Sequence, residues 1–206
     1  MTVTLAVIAK APVAGRVKTR LCPPCTPAGA AALAAAALHD TLDAVRATPA
    51  VRRVLVLDGR PGPWAAGVEV VAQRGAGLAA RLAHAFADVG GPALVIGMDT
   101  PQVTPALLAA GLAALDRAPA VLGPAEDGGY WAIGLRRPDA RVFAGVPMST
   151  PTTGAHQRAR LRALGLEVAL LDTLRDVDDI DDARVIAALA PDGRFAAALA
   201  APAAAA

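Results

Sequence analysis

The sequence predicts a three-layer α/β/α sandwich built on a mostly parallel sheet. Two observations carry that expectation. Short runs of β-branched and aliphatic residues alternate with helical patterns, the order that yields parallel strands joined by crossover helices. Polar, glycine-bearing stretches recur directly after the apolar runs, where loops at the carboxyl ends of such strands belong. With 206 residues the chain is long enough for one α/β domain with a substantial core and too short for two ordinary domains. Residues 1–195 read as that domain, and 196–206 as a low-complexity, alanine-rich tail.

Strands are predicted at 3–9, 53–58, 68–72, 93–98, 119–123, 129–135 and 167–171. Helices are predicted at 27–47, 77–89, 104–117, 151–164 and 179–190. The opening MTVTLAVIA has no positively charged leader region and runs into Lys10-Ala11-Pro12, so a buried strand explains it better than a secretory signal. The first helix starts near Pro27. The stretch RPGPWAAG, 60–67, reads as a surface loop between the second and third strands. Thr104-Pro105 supplies an N-cap and an N1 proline ahead of leucines at helical spacing. Asp-Gly and Gly-Gly at 127–129 are strong turn dipeptides between two strands. Asp181 and Asp182 fall in the first turn of the last helix, where the helix dipole favours negative charge.

Composition narrows the function classes. The hydrophobic fraction is 55%, but much of it is alanine, and Gly, Pro, Arg or Asp breaks every apolar run before it could span a bilayer. A cytoplasmic protein without membrane contact is expected. Twenty basic and 18 acidic residues give a formal charge of +2, and aromatic residues make up 3% of the chain. That leaves neither a global basic footprint nor stacking platforms for polymeric nucleic acid. Two cysteines make no disulfide framework, so the core must hold the fold.

Four polar places follow predicted strands: 10–20, 73–77, 99–101 and 124–130. In the first, Gly15-Arg16-Val17-Lys18-Thr19-Arg20 sets three cations beside a glycine. Gly15, with the small residues Ala11 and Ala14, would let backbone N–H groups approach an anion closely, while Lys18 and Arg20 supply positive charge for phosphate chemistry. The loop is not a Walker A motif, which needs glycine where Val17 stands, and no GxGxxG opens the next helix. Asp99, at a strand end and fixed in direction by Pro101, suits a Mg²⁺ ligand; capping of the next helix falls better to Thr104. A second carboxylate is sought in DVDDIDD, 176–182, where Asp176 and Asp178 precede the helix. Glu126, Asp127, Gly128 and Gly129 form either a plain hairpin turn or an acceptor- or sugar-binding turn that accepts hydrogen bonds from hydroxyls.

Assembled, these residues resemble the GT-A-like superfamily of nucleotide-diphospho-sugar transferases, and most of all a bacterial family of uncharacterised, or arsenosugar-type, glycosyltransferases. The resemblance rests on four motifs in order over nearly the whole chain: K-A-P-x-x-G-x-x-K-T-R-L at 10–21, G-x-D-x-P at 97–101, P-A-x-D-G-G-Y-x-x-I-G at 124–134 and a D-V-D-T-P-x-D-like run at 176–182. Guanylyltransferases of deazaflavin- and molybdenum-cofactor biosynthesis are similar in the first loop. The resemblance implies a nucleotide or nucleotide-sugar donor, a small-molecule acceptor and Mg²⁺ or Mn²⁺ as cofactor. It implies catalytic roles for Lys18, Arg20 and Asp99, and nucleotide contacts from Ala11, Gly15, Lys18, Gln73 and Gly77. Asp99 would share the metal with Asp178 or Asp176; DVDDID lacks the family's proline, which leaves that choice open. Glycosyl and nucleotidyl transfer are both compatible with such a site.

The remaining candidates receive structural readings. Cys22-Pro23-Pro24-Cys25 offers two of the four ligands a structural zinc needs, and reads as a stiff exit from the basic loop. His39, His84 and His156 fall on predicted helices without triad partners. The Ser/Thr-rich segment 148–157 is a candidate mobile acceptor loop.

Overall fold

The computed structural model describes residues 3–49 and 52–201. Seven strands, β1 (Thr4–Lys10), β2 (Arg52–Asp58), β3 (Glu69–Ala72), β4 (Ala93–Ile96), β5 (Ala120–Pro124), β6 (Tyr130–Leu135) and β7 (Val168–Leu170), form one sheet in the order β3-β2-β1-β4-β6-β5-β7. Every pair is parallel except those made by β6, which runs antiparallel to both β4 and β5. The helices are α1 (Pro27–Ala47), α2 (Gly77–Val89), α3 (Pro105–Arg117), α4 (Thr153–Ala163), α5 (Ile180–Leu189) and α6 (Arg194–Ala200). The fold is thus the mostly parallel α/β sandwich the sequence predicts. Among the described residues no helix is long and apolar enough to cross a membrane.

Alternation along the central strands builds two cores at once, because successive side chains leave opposite faces of a strand. Leu5 and Val7 of β1, with Leu55 and Leu57 of β2, meet Leu38 and Leu42 of α1 and Leu108 and Leu115 of α3. Ala6, Val54, Val56 and Val95 face the other way, onto Leu82 and Phe86 of α2 and Leu161 of α4. Phe86 stacks on Phe143 with ring centroids 5.7 Å apart. Burying each such leucine or phenylalanine contributes about 1.5–3 kcal/mol. Two-sided burial explains why β1, β2 and β4 read as continuous apolar runs rather than alternating ones.

A third cluster lies beyond the sheet, where Leu21, Cys25, Leu33, Val177, Ile186 and Phe195 bring α1, α5 and α6 together. The stretch read as the start of a low-complexity tail supplies helix α6 through residue 200, while 202–206 lie outside the described residues. A distant partner organises the turn into α6. Asp40 of α1 accepts hydrogen bonds from the backbone N–H groups of Arg194 (3.1 Å) and Phe195 (2.8 Å), binding two donors that a helix start leaves orphaned. Thr104 caps α3 as expected, its Oγ1 accepting from Leu107 N at 3.2 Å.

Sheet order fixes where a site can form. From β1 the chain winds to β2 and β3 on one side, then returns to β4 on the other. The crevice above the carboxyl ends of β1 and β4 is therefore the topological switch point, where open parallel sheets take ligands. The loops after β1, β4, β5 and β7 all open toward that edge.

Candidate functional site

The basic loop is pinned at both ends and exposed between. Val17 and Leu21 are buried in separate cores, and between them the chain passes through a left-handed Lys18 (φ 48°) into a short 3-10 turn, Thr19–Leu21. A lysine in that region costs on the order of 1 kcal/mol, a strain that persists where surroundings impose it and that clusters at functional sites. Its side chain, 11% exposed, runs inward to the switch point. Nζ donates to the Val177 carbonyl and pairs with Asp99 Oδ1 at 2.5 Å. Arg20 stays largely exposed and pairs with Asp178, Nη1 to Oδ2 2.8 Å. Gly15 has φ +74°, and a Cβ there would meet nothing within 4 Å, so the turn is open toward solvent.

The irregular segment between β7 and α5 runs back across the crevice. Leu174 forms a parallel bridge with Ala125 and exchanges backbone hydrogen bonds with Pro124 and Glu126, and Val177 N donates to Asp99 O at 2.8 Å. These bonds bring Asp176 and Asp178 beside the β5–β6 turn. One carboxylate oxygen each from Asp127, Asp176 and Asp178 all lie within 4.8 Å of one another. Burial, and then the negative charges of Asp127 and Asp178, push the Asp176 carboxyl up to about 6 from an ordinary 3.8. Asp99 contributes a smaller share of that repulsion and is itself held by Lys18.

The residues singled out from sequence therefore divide. Asp176 and Asp178 both belong to the acidic group with Asp127, read as part of an acceptor-binding turn, while Asp99 lies near enough to act on Asp176 and is paired with Lys18. Gly128 and Gly129 serve the approach of α4: a Cβ on Gly128 would stand 1.9 Å from Pro151 O, and Gly154 N donates to Gly128 O at 2.8 Å. Glu126 turns to Arg175, with Nη2 to Oε2 at 2.6 Å. On the β2–β3 side, the Gln73 amide is consumed by the sheet, Nε2 donating to Ala9 O (2.6 Å) and Val56 O (3.1 Å), while Oε1 accepts from Arg81 (3.1 Å). Ala11 N already donates to Asp58 O at 2.8 Å, so its amide is not free to meet a phosphate. Gly77, φ +81°, opens α2 with clear space around it. In the 148–157 segment Thr153 Oγ1 is held in its own turn, donating to Pro147 O (2.8 Å) and accepting from Thr150 N (3.0 Å), while the Thr150 and Thr152 hydroxyls meet at the surface, 3.2 Å apart. Cys22 and Cys25 are free thiols.

Sequence reading overlooked Arg175. Besides Glu126 it meets Asp182, Nη1 to Oδ1 3.4 Å, and its carbonyl accepts from Gln102 Nε2 at 2.6 Å. The available signal was a lone arginine directly ahead of the acidic run.

Comparison with known proteins agrees with this architecture. The chain is 37% identical over 179 residues to phosphoenolpyruvate guanylyltransferase of Streptomyces coelicolor, covering 80% of this chain and 81% of that one. A protein from Desulfovibrio desulfuricans G20 assigned to the nucleotide-diphospho-sugar transferases superposes with a TM-score of 0.82 at 25% identity, covering 97% of each chain. CMP:2-keto-3-deoxy-manno-octonic acid synthetase, solved with CTP, shares the fold at a TM-score of 0.63 and 12% identity, covering 93% and 100%. Rv0371c of Mycobacterium tuberculosis H37Rv, solved with manganese, shares it at 0.54 and 21%, covering 90% and 98%. Residues 32–150 match the family described as "Uncharacterized protein conserved in bacteria (DUF2064)". The chain thus belongs to that bacterial family, within the GT-A-like nucleotide-diphospho-sugar transferase superfamily, and is an enzyme of the glycosyltransferase or nucleotidyltransferase kind.

Proposed function

We propose that the chain is a nucleotidyltransferase that moves a nucleoside monophosphate from a nucleoside triphosphate to a small anionic acceptor and releases diphosphate. The observation that carries the reading is Lys18: nearly buried, left-handed and aimed at the switch point, it sets a fixed cation opposite a group of three carboxylates. The most charged donor class suits that arrangement best. Likeness to a phosphoenolpyruvate guanylyltransferase supports GTP as the donor and an enol phosphate or related acid as the acceptor.

In this reading an acceptor oxygen attacks the α-phosphorus, a new P–O bond forms, and the bond from that phosphorus to the diphosphate oxygen breaks. Lys18 exchanges Asp99 for a phosphate oxygen, and Arg20 exchanges Asp178 for another, so charge that is balanced within the protein becomes available to the leaving diphosphate. Gly15 leaves the loop open for the donor to approach. The chain supplies position and fixed charge rather than a covalent intermediate. Asp127, Asp176 and Asp178 fit a hard divalent cation such as Mg²⁺ or Mn²⁺, since their oxygens converge and the crowding that raises Asp176 is what a cation relieves. Such an ion, when bound, neutralises phosphate charge.

A nucleotide-sugar donor is the second reading, favoured by the likeness to the D. desulfuricans protein. One assay separates the two: a panel of nucleoside triphosphates and nucleoside diphosphate sugars, each with Mg²⁺ and with phosphoenolpyruvate or other phosphate and carboxylate acceptors. Acceptor-dependent release of diphosphate from GTP supports nucleotidyl transfer. Release of a nucleoside diphosphate from a sugar nucleotide, with triphosphates inert, overturns it.

A further inference from the structure

The segment carrying Asp176 and Asp178 belongs to no strand or helix, yet it must keep two carboxylates against Asp127 in spite of their repulsion. Backbone bonds from Leu174 and Val177 hold the stretch Arg175-Asp176 between them, and the cation of that stretch is Arg175. Its guanidinium reaches in two directions. Nε and Nη2 contact Glu126 Oε2 at 2.8 and 2.6 Å, holding the residue next to Asp127; Nη1 contacts Asp182 Oδ1 at 3.4 Å. The other oxygen of Asp182 accepts from the backbone N–H groups of Asp178 (3.2 Å) and Asp179 (3.3 Å), so its position sets that of Asp178. Asp179 and Asp182 form a reciprocal capping box, which makes the start of α5 the rigid end of the chain of contacts.

We propose that Arg175 is a positioning residue for divalent-cation binding, a clamp that joins the β5–β6 turn to the α5 start so that Asp127 and Asp178 converge on Asp176. It touches none of the three carboxylates through a hydrogen bond or ion pair among the described residues, and acts through Glu126 and Asp182. The inference rests on the cation reading given above. Arginine suits the task because its planar fork meets two partners at once, which a lysine ammonium on a flexible stem does not.

The sign of the effect separates this role from simple charge. Removing a cation from the neighbourhood of a metal site strengthens metal binding by Coulomb's law, whereas removing a support of the ligand geometry weakens it, typically 10- to 100-fold. The experiment titrates Mn²⁺ alone into wild type, Arg175→Ala, Arg175→Gln and Arg175→Lys, reading free Mn²⁺ by electron paramagnetic resonance, with thermal midpoints measured in chelator. Arg175→Ala is expected to bind Mn²⁺ about tenfold more weakly than wild type, with Arg175→Lys between them. Arg175→Gln, which keeps a neutral donor toward Glu126 but does not span to Asp182, keeps the test in force should the alanine variant fail to fold; it too is expected to bind more weakly. Unchanged or tighter Mn²⁺ binding in folded Arg175 variants overturns the clamp and leaves the cation site standing. Failure of the wild type to bind Mn²⁺ overturns the cation reading, and the clamp with it.

Discussion

The acidic group stores repulsion, and Asp176→Asn should release it. Raising a carboxyl from 3.8 to about 6 means that the folded protein binds the proton more tightly than the unfolded chain does. The contribution of this group to stability is therefore greatest below about pH 4, declines as pH rises toward 6, and stays at its reduced level above that. At about 1.4 kcal/mol per pKa unit the full cost at neutral pH approaches about 3 kcal/mol. Solvent reaching this half-buried group screens it, which leaves about 1–2 kcal/mol. Asparagine keeps the shape and removes the charge, so without metal the variant should be more stable than wild type at pH 7.5. The rise in Tm is roughly 2–8 °C for a chain of this size. The advantage should vanish below about pH 4, where wild-type Asp176 is protonated in both states. Urea unfolding at pH 7.5 and pH 3.5 in chelator measures both ends. Mn²⁺ at a hundred times its Kd should then stabilise wild type by about 2.7 kcal/mol and the variant far less, reversing their order. An Asn variant no more stable than wild type at pH 7.5, or one whose advantage persists at pH 3.5, refutes the reasoning.

Lys18→Ala should lower kcat by roughly 10²- to 10³-fold, the usual loss when one charge-stabilising donor is removed, measured below its Tm with circular dichroism showing the fold intact; retained turnover would count against the phosphate role. Gly128→Ala forces a methyl into the Pro151 carbonyl at a left-handed φ of +87°, and should cost about 2–4 kcal/mol by urea denaturation, with the α4 N-terminus showing the first loss of hydrogen-exchange protection. Gln73→Ala strips donors from the carbonyls of Ala9 and Val56 and should destabilise the fold by about 1–3 kcal/mol. If Gln73→Ala instead weakens nucleotide binding at unchanged Tm, its amide serves the ligand rather than the sheet.

Burial on both faces makes β1, β2 and β4 legible as apolar runs, and local capping chemistry makes α3 legible at Thr104-Pro105. Helix α6 escaped for the opposite reason. Its alanines show no amphipathic stripe, and what organises its start is Asp40, 154 residues away along the chain. The hairpin turn at 127–129 announces the antiparallel β5–β6 pair, but the insertion of β6 between β4 and β5 was invisible, because strand patterning records burial and not partners.

The same division runs through the site. Motif order and residue chemistry identify the basic loop, the Asp99 corner, the Asp-Gly-Gly turn and the acidic run as polar groups at strand ends, since each is a local departure from an apolar or helical pattern. Which of them touch is a property of the folded sheet. Asp99 spends its charge on Lys18, and Asp127 joins Asp176 and Asp178 because the segment after β7 docks along β5 through Leu174. Gln73 turns into the sheet, and Arg175 reaches Glu126 across a separation of 49 residues. Local sequence sets what each side chain offers. Only the sheet order, which brings distant loops to one edge, decides where each offer is taken up.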